Sequence, residues 1–198
     1  KSFDVMGMAY SGVPLIFMGR NKKVAWGITN NICSQRDLYY EKLNKENPEK
    51  YLHDQSYLNF EKRTETINIK NRKLIKFEIM STVNGPIVNE LLPQWVNLDT
   101  PISLNWLGFD YCSFVTDALN INKSNNAEEF LNSFQGWNVP TLSLVYGTVD
   151  GDFGYQAMGR VPYRDSHYKG LKPGWDPEFG WKGVIPKEGM PGLKNPDR

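Results

Sequence analysis

Histidine and cysteine are scarce in this chain, with two of each among 198 residues. His53 and His167 have no ligand-type residues at metal-binding spacing beside them, and Cys33 and Cys112 form no C-x-x-C pair. Neither a structural zinc site nor a dithiol redox centre is therefore expected. Free, partly buried thiols are the expectation, since sequence alone does not bring two such distant cysteines within bonding distance. An excess of one charge is also lacking. Lys and Arg number 23 against 22 Asp and Glu, a net charge of +1, which gives no electrostatic footprint for nucleic acid or an anionic membrane. No apolar run approaches the ~20 residues that a helix needs to span a bilayer. There is no signal-peptide pattern at the start, no internal repeat, no low-complexity tract and no G-x-S-x-G elbow for a serine triad.

What is there suits a globular fold. Hydrophobic residues make up 40% and aromatics 13% of the chain, enough for a core, and the length allows one domain or one and a half. Short apolar runs bounded by Gly, Asn and Pro dominate. Val13–Met18 and Val24–Thr29 flank the polar Gly19–Lys23 and predict a hairpin, with Gly27 beside Trp26 marking a close approach. Asp37–Lys42 predicts a strand, and Tyr51–Glu61 short extended pieces. Arg63–Lys70 and Leu74–Val83 alternate around Asn71-Arg72-Lys73, a hairpin with one solvated and one apolar face. Ile102–Trp106 reads as a further strand.

Two helices are expected, Ser113–Leu119 and Ser124–Phe134. In the second, Asn125 or Asn126 caps the start, Glu128 and Glu129 suit the first turn, and Phe130, Leu131 and Phe134 share a face. Thr141–Val149 and Phe153–Met158 form a hairpin around Asp150-Gly151. Tyr163–Arg198, rich in Gly, Pro and Trp, is expected as ordered loop over the core. The fold class is α+β, mainly antiparallel β with few helices.

Several motifs share one order and spacing. Phe3-Asp4-Val5, Gly7, Pro14, Gly19-Arg20-Asn21, Trp26-Gly27-Ile28-Thr29 and Asp37-Leu38-Tyr39 with Glu41 resemble the penicillin acylase family of N-terminal nucleophile hydrolases. Glu65-Thr66-Ile67, Thr82 to Val88, Val145 to Tyr155, Gly159 to Pro162 and Pro173 to Pro186 continue the resemblance, and Asn89–Pro101 carries it least. Asn84 stands where the family usually has histidine. The resemblance implies part of a four-layer αββα sandwich, with a β-hairpin subdomain near residues 60–90. It implies a parent protein that hydrolyses N-acylated small molecules, such as penicillins, other acylated amines or acyl-lactones. The nucleophile would be a Ser, Thr or Cys at the start of a chain, with its own α-amine as base.

Site residues follow from the same resemblance. The backbone N–H of Asn30 matches an oxyanion donor, the alternative being a plain polar strand end. Met18, Ile28 and Leu142 match positions lining the acyl pocket, although each also suits a core. Ser34, Arg36 through its carbonyl, and Asp37 match calcium ligands, but Ser34 replaces a usual aspartate and Arg36 adds positive charge. The other reading of Asp37 is a strand-start cap or a salt bridge. No organic cofactor is implied. The family's nucleophile and a second oxyanion asparagine have no match here, so the chain is expected to be an internal β-chain segment, inactive alone, with the remaining α- and β-chain segments as partners. The rival is a non-catalytic relative that binds partners through aromatics in Tyr163–Trp181. A periplasmic or extracellular setting follows by family analogy only, and the cytoplasm stays open.

Overall fold

The computed structural model describes residues 4–93, 98–165 and 168–197. Phe3, His167 and Arg198 of the sequence reading lie outside the described residues. In chain order the strands are β1 (Met6–Met8), β2 (Met18–Arg20), β3 (Val24–Asn30), β4 (Arg36–Tyr40), β5 (Lys50–His53), β6 (Ser56–Asn59) and β7 (Glu61–Ile67). They continue as β8 (Ile75–Thr82), β9 (Gly85–Pro86) and β10 (Ile102–Trp106), followed by helices α1 (Phe114–Lys123) and α2 (Ala127–Asn132). After them come β11 (Leu142–Thr148), β12 (Phe153–Met158), β13 (Lys172–Pro173) and β14 (Gly192–Lys194). The α+β, mainly antiparallel class holds. Two compact units emerge: Lys1–Gln35, Leu107–Pro162 and Val184–Arg198 form one, and Arg36–Trp106 with Tyr163–Gly183 the other.

The first unit is a six-stranded sheet in the order β1-β2-β3-β11-β12-β14. Strand alternation sorts its residues: Val24, Trp26, Leu142, Leu144 and Tyr146 are buried, while Ala25 and Val145 face out. The buried face packs against Ala118, Ile121, Ala127, Phe130 and Phe134 of the helical segment. Phe130 is fully enclosed, with its ring centroid 6.1 Å from that of Trp26 and 5.4 Å from that of Tyr146. The α2 cap is Asn126, whose Oδ1 accepts from the Glu129 N–H at 2.8 Å. The Glu129 carboxylate returns to the Asn125 N–H at 2.9 Å, a reciprocal arrangement like a capping box. The first helix runs on past Leu119 to Lys123, where Ser124 closes it by donating through its hydroxyl to the Ile121 carbonyl at 2.7 Å, so the second starts later than its pattern, and it ends at Asn132.

Two expectations need correction. Val13–Met18 is not a strand; only Met18–Arg20 pairs. Pro14 has no N–H to give a ladder, and both backbone groups of Ile16 are held by the side chain of Asn122. The segment after Tyr163 is not all loop, since it supplies β13 and, as the last strand of the six, β14. The β14 pairing needs Gly154, where a Cβ would lie 2.2 Å from the Leu193 carbonyl oxygen.

The second unit holds the sheets β10-β4-β13, β5-β6 and β7-β8-β9. The β5–β6 turn places Asp54 at φ 48°, a conformation that Asp tolerates. The expected β7–β8 hairpin forms, but Ile67, Ile75 and Phe77 on its apolar side are exposed. A narrow ribbon buries little without a layer on its face. Cys33 and Cys112 are free and half-buried, as expected. Among the described residues no helix is long and apolar enough to cross a membrane.

Phe130 fills the centre of the first unit's core, so Phe130→Ala should cost about 3–5 kcal/mol. Urea unfolding checks this: a lower midpoint with the same m-value is expected, and a loss under about 1 kcal/mol would show that the helix layer does not anchor the sheet.

Candidate functional site

The candidate site begins where β3 ends. In an antiparallel ladder, successive residues of a strand direct their N–H and C=O groups to alternate sides. The Asn31 N–H donates to the Thr141 carbonyl at 3.2 Å, and at the other end the Val149 N–H donates to the Lys23 carbonyl at 3.0 Å. The odd-numbered residues of β3 thus bond β11. The even-numbered ones face β2, as the bond from the Asn21 N–H to the Val24 carbonyl at 2.9 Å shows. Asn30 stands opposite Leu142 and belongs to the even set, so its N–H points away from β11.

Along that edge β2 pairs through Gly19↔Trp26 and Arg20↔Ala25. Continued, the same register would set Leu15 across from Asn30. The chain has left the sheet by then: the Leu15 N–H donates to the Val13 carbonyl at 2.9 Å. The Ile16 N–H donates to Asn122 Oδ1 at 2.9 Å, and Asn122 Nδ2 donates to the Ile16 carbonyl at 2.8 Å. The side chain of Asn122 takes the place of a strand partner for Ile16. The end of β3 is left with an edge free of β2, and Asn30 is exposed there.

Asn21, from the Gly-Arg-Asn turn, fixes the start of the same strand. Its Oδ1 accepts from the N–H groups of Lys23 at 2.7 Å and Val24 at 2.8 Å. Its Nδ2 donates to the carbonyls of Asn122 at 3.1 Å and Ser124 at 2.8 Å, at the end of α1. Beyond Asn30 the buried side chain of Gln35 continues the support. Its Nε2 donates to the carbonyls of Asn138 and Arg160, both at 2.7 Å, and its Oε1 accepts from the Thr141 N–H at 3.0 Å. The Thr141 hydroxyl donates to the Asn31 carbonyl. Sequence reading missed Asn122, Gln35 and Thr141 as positioning residues. Their signal is three-dimensional, because the partners lie about a hundred residues apart.

The apolar candidates divide. Ile28 and Leu142 sit diagonally on the helix-packed face, Ile28 half-buried against the core and Leu142 within it. Met18 belongs to β2, next to Gly19, which opposes Trp26. Alternation therefore directs Met18 to the other face.

The calcium candidates lie elsewhere. Ser34 belongs to the first unit, and Arg36 and Asp37 open β4 in the second; Ser34 and Arg36 are exposed. Asp37 Oδ2 accepts from Trp181 Nε1 at 2.6 Å, Arg164 Nε at 2.7 Å and Lys172 Nζ at 2.9 Å. Burial works to raise the Asp37 pKa, but these bonds from Arg164, Lys172 and Trp181 outweigh it and hold the carboxyl below its ordinary range. A hard dication needs six or more oxygens, several of them charged. No group of three or more His, Cys, Asp or Glu is placed for a metal among the described residues. As arranged, the carboxylate is fitted to cationic side chains rather than to calcium. Glu41, further along the chain, is fully buried, and its Oε1 accepts from Thr82 Oγ1 at 2.9 Å, Asn84 Nδ2 at 3.1 Å and Ser103 Oγ. Asn84 thus occupies a structural node, donating to both Glu41 and the Gly174 carbonyl.

The fold has known counterparts. The family model for penicillin amidase matches residues 1–198. The penicillin G acylase of Escherichia coli is 29% identical over 195 residues, which cover 98% of this chain and 23% of that protein. The acyl-homoserine lactone acylase QuiP of Pseudomonas aeruginosa is 29% identical over 192 residues, 91% of this chain and 22% of that protein. The chain therefore spans less than a quarter of the length of these relatives. A thermostable penicillin G acylase from Alcaligenes faecalis superposes with a TM-score of 0.78 at 25% identity, covering 98% of this chain and 35% of that one.

Asn21→Ala should loosen the start of β3, because it removes two acceptor and two donor contacts. A loss of about 2–3 kcal/mol is expected. Asn21→Asp should not restore it, since a carboxylate would face the carbonyls of Asn122 and Ser124. Full stability in Asn21→Ala, measured by urea unfolding, would remove Asn21 from this role.

Proposed function

The chain belongs to the penicillin amidase family, and from that premise we propose that it supplies an oxyanion donor and part of the acyl-pocket wall to an amide hydrolase. The nucleophile, a Ser, Thr or Cys at the start of a chain, would lie outside these 198 residues, since this chain matches less than a quarter of its relatives' length. The observation that carries the reading is the direction of the Asn30 N–H, which points out of the β3–β11 ladder at an edge that β2 has left.

The chemistry needs such a donor. The nucleophile's oxygen or sulfur adds to the carbonyl carbon of an N-acyl substrate, and its proton passes to the α-amine. Negative charge then develops on the former carbonyl oxygen, and a fixed N–H at hydrogen-bond distance stabilises it more than it stabilises the ground state. Collapse breaks the C–N bond, and the leaving amine takes the proton. Water then hydrolyses the acyl-enzyme by the same route. A backbone donor held by a sheet needs no reorganisation during the reaction. The side chain of residue 30 has no part in this, so asparagine is as suitable as any other residue. Ile28, half-buried, would give the acyl group apolar contact with Leu142 packed on the same face, whereas Met18 lies on the other face of the sheet and would not join that wall. The relatives' names supply penicillins and acyl-homoserine lactones as the substrate types to try.

Asn30→Pro deletes this donor without deleting a bond of the β3–β11 ladder. In the full-length protein it should lower kcat/KM for N-acyl amides by about 10²–10³-fold, while Asn30→Ala stays within about threefold. Equal loss in both would assign the role to the side chain instead. Intact mass and N-terminal sequencing of the same protein give the prior check. A chain beginning at Ser, Thr or Cys is expected, and a single unprocessed chain without turnover would leave a binding module.

A further inference from the structure

The strongest unassigned feature is the cluster on Asp37. We propose that Asp37 is the anion of a permanent internal ion cluster with Lys172 and Arg164, and that this chain takes no calcium at this point. The inference draws on the family resemblance for its contrast, but it does not depend on the oxyanion reading of Asn30.

The donor set carries the argument. A single oxygen, Asp37 Oδ2, accepts from an ammonium, a guanidinium nitrogen and an indole N–H, at 2.9, 2.7 and 2.6 Å. The Lys172 side chain is 3% exposed and that of Asp37 is 12% exposed, so this is an interior pair and not a surface contact. Each partner is held by a further contact. Lys172 belongs to β13, which pairs in parallel with β4 at Lys172↔Tyr39. Just beyond it the Gly174 N–H donates to the Tyr40 carbonyl at 2.9 Å, and the Gly174 carbonyl accepts from Asn84 Nδ2 at 3.0 Å. The Arg164 guanidinium lies over the Trp181 ring, 5.5 Å from its centroid, while the indole of Trp181 donates to the same carboxylate. Asp37, Arg164 and Trp181 thus form a closed triangle.

A dication has no room in this electrostatic scheme. Among the described residues two fixed positive groups already share one Asp37 oxygen, so a dication there would meet an ammonium and a guanidinium. The other groups in register offer a metal no further charged oxygen at this point. Asn105 on β10 is neutral, and the Tyr39 hydroxyl is held by the Phe179 carbonyl at 3.2 Å. Glu41 spends one oxygen on Thr82, Asn84 and Ser103, and its other oxygen lies against Gly174. An ammonium on the chain itself does here what a metal does for a carboxylate cluster, but it cannot dissociate.

The test uses the full-length protein, with calcium content after dialysis and thermal unfolding as readouts. Wild type and Asp37→Asn should retain the same amount of calcium, because any that is held lies elsewhere. Lys172→Met should lower Tm by at least about 3 °C, and added calcium chloride should not restore it. The double variant Asp37→Asn, Lys172→Met should lose less than the two single losses together, because it buries no unpaired charge. If Lys172→Met does not accumulate, the double variant carries the stability arm: it should fold, and the failure of both would overturn the ion-pair account. Calcium lost specifically from Asp37→Asn, or a Lys172→Met protein as stable as wild type, would equally overturn it.

Discussion

Ile16 has one backbone donor and one backbone acceptor, and the side-chain amide of Asn122 takes both. That pairing decides the shape of the first unit's edge. A strand continuing through residues 13–18 would cover the end of β3 and use its outward N–H groups in a ladder. Pro14 weakens that alternative, and Asn122 offers Ile16 an equivalent pair of bonds from a helix. The sheet stops early, and Asn30 is left at an open edge. An amide suits the task because it is both donor and acceptor and carries no charge; an aspartate there would face the Ile16 carbonyl with another acceptor.

The second unit handles its buried polarity differently. Glu41 and Asp37 are four residues apart along the chain, yet their partners differ in kind. Glu41 receives neutral donors from Thr82, Asn84 and Ser103, while Asp37 receives two cations and an indole. Buried charge is costly unless it is paired or well hydrogen-bonded. The cluster on Asp37 meets that condition through Arg164, Lys172 and Trp181, all from the segment that the sequence presents as loop. Those long-range partners give an otherwise irregular stretch a defined path.

Much of this was legible in the sequence where the signal is local. The alternating runs around Asp150-Gly151 and Asn71-Arg72-Lys73 became hairpins, and the Trp26-Gly27 strand lies at the centre of the sheet. Asn126 caps α2 as one of two adjacent candidates. The failures share a cause. Val13–Met18 has the composition of a strand, but its fate depends on Asn122, more than a hundred residues away. The Gly192–Lys194 stretch is too short and too polar to announce a strand, and only the open edge of β12 makes it one. At Asp37, the motif identified the residue, while Lys172 and Arg164 were invisible as its partners until the fold brought them together. The open direction of the Asn30 N–H required the observed register, because one residue of slippage would turn it into the ladder.

The pairing of β3 with β11 also sets a timetable for synthesis. Asn30 and Leu142 are neighbours in the sheet but are made far apart in time. At a ribosomal pace of about 5–20 residues per second, β3 waits roughly 6–20 s for its partner to be translated. Throughout that interval Val24, Trp26 and Ile28 lack their β11 neighbours and have only the short β2 beside them. The nascent chain is then most exposed to chaperones and to neighbouring copies emerging from the same messenger. The segment that ends at the open edge is thus made well before the strand that shelters it.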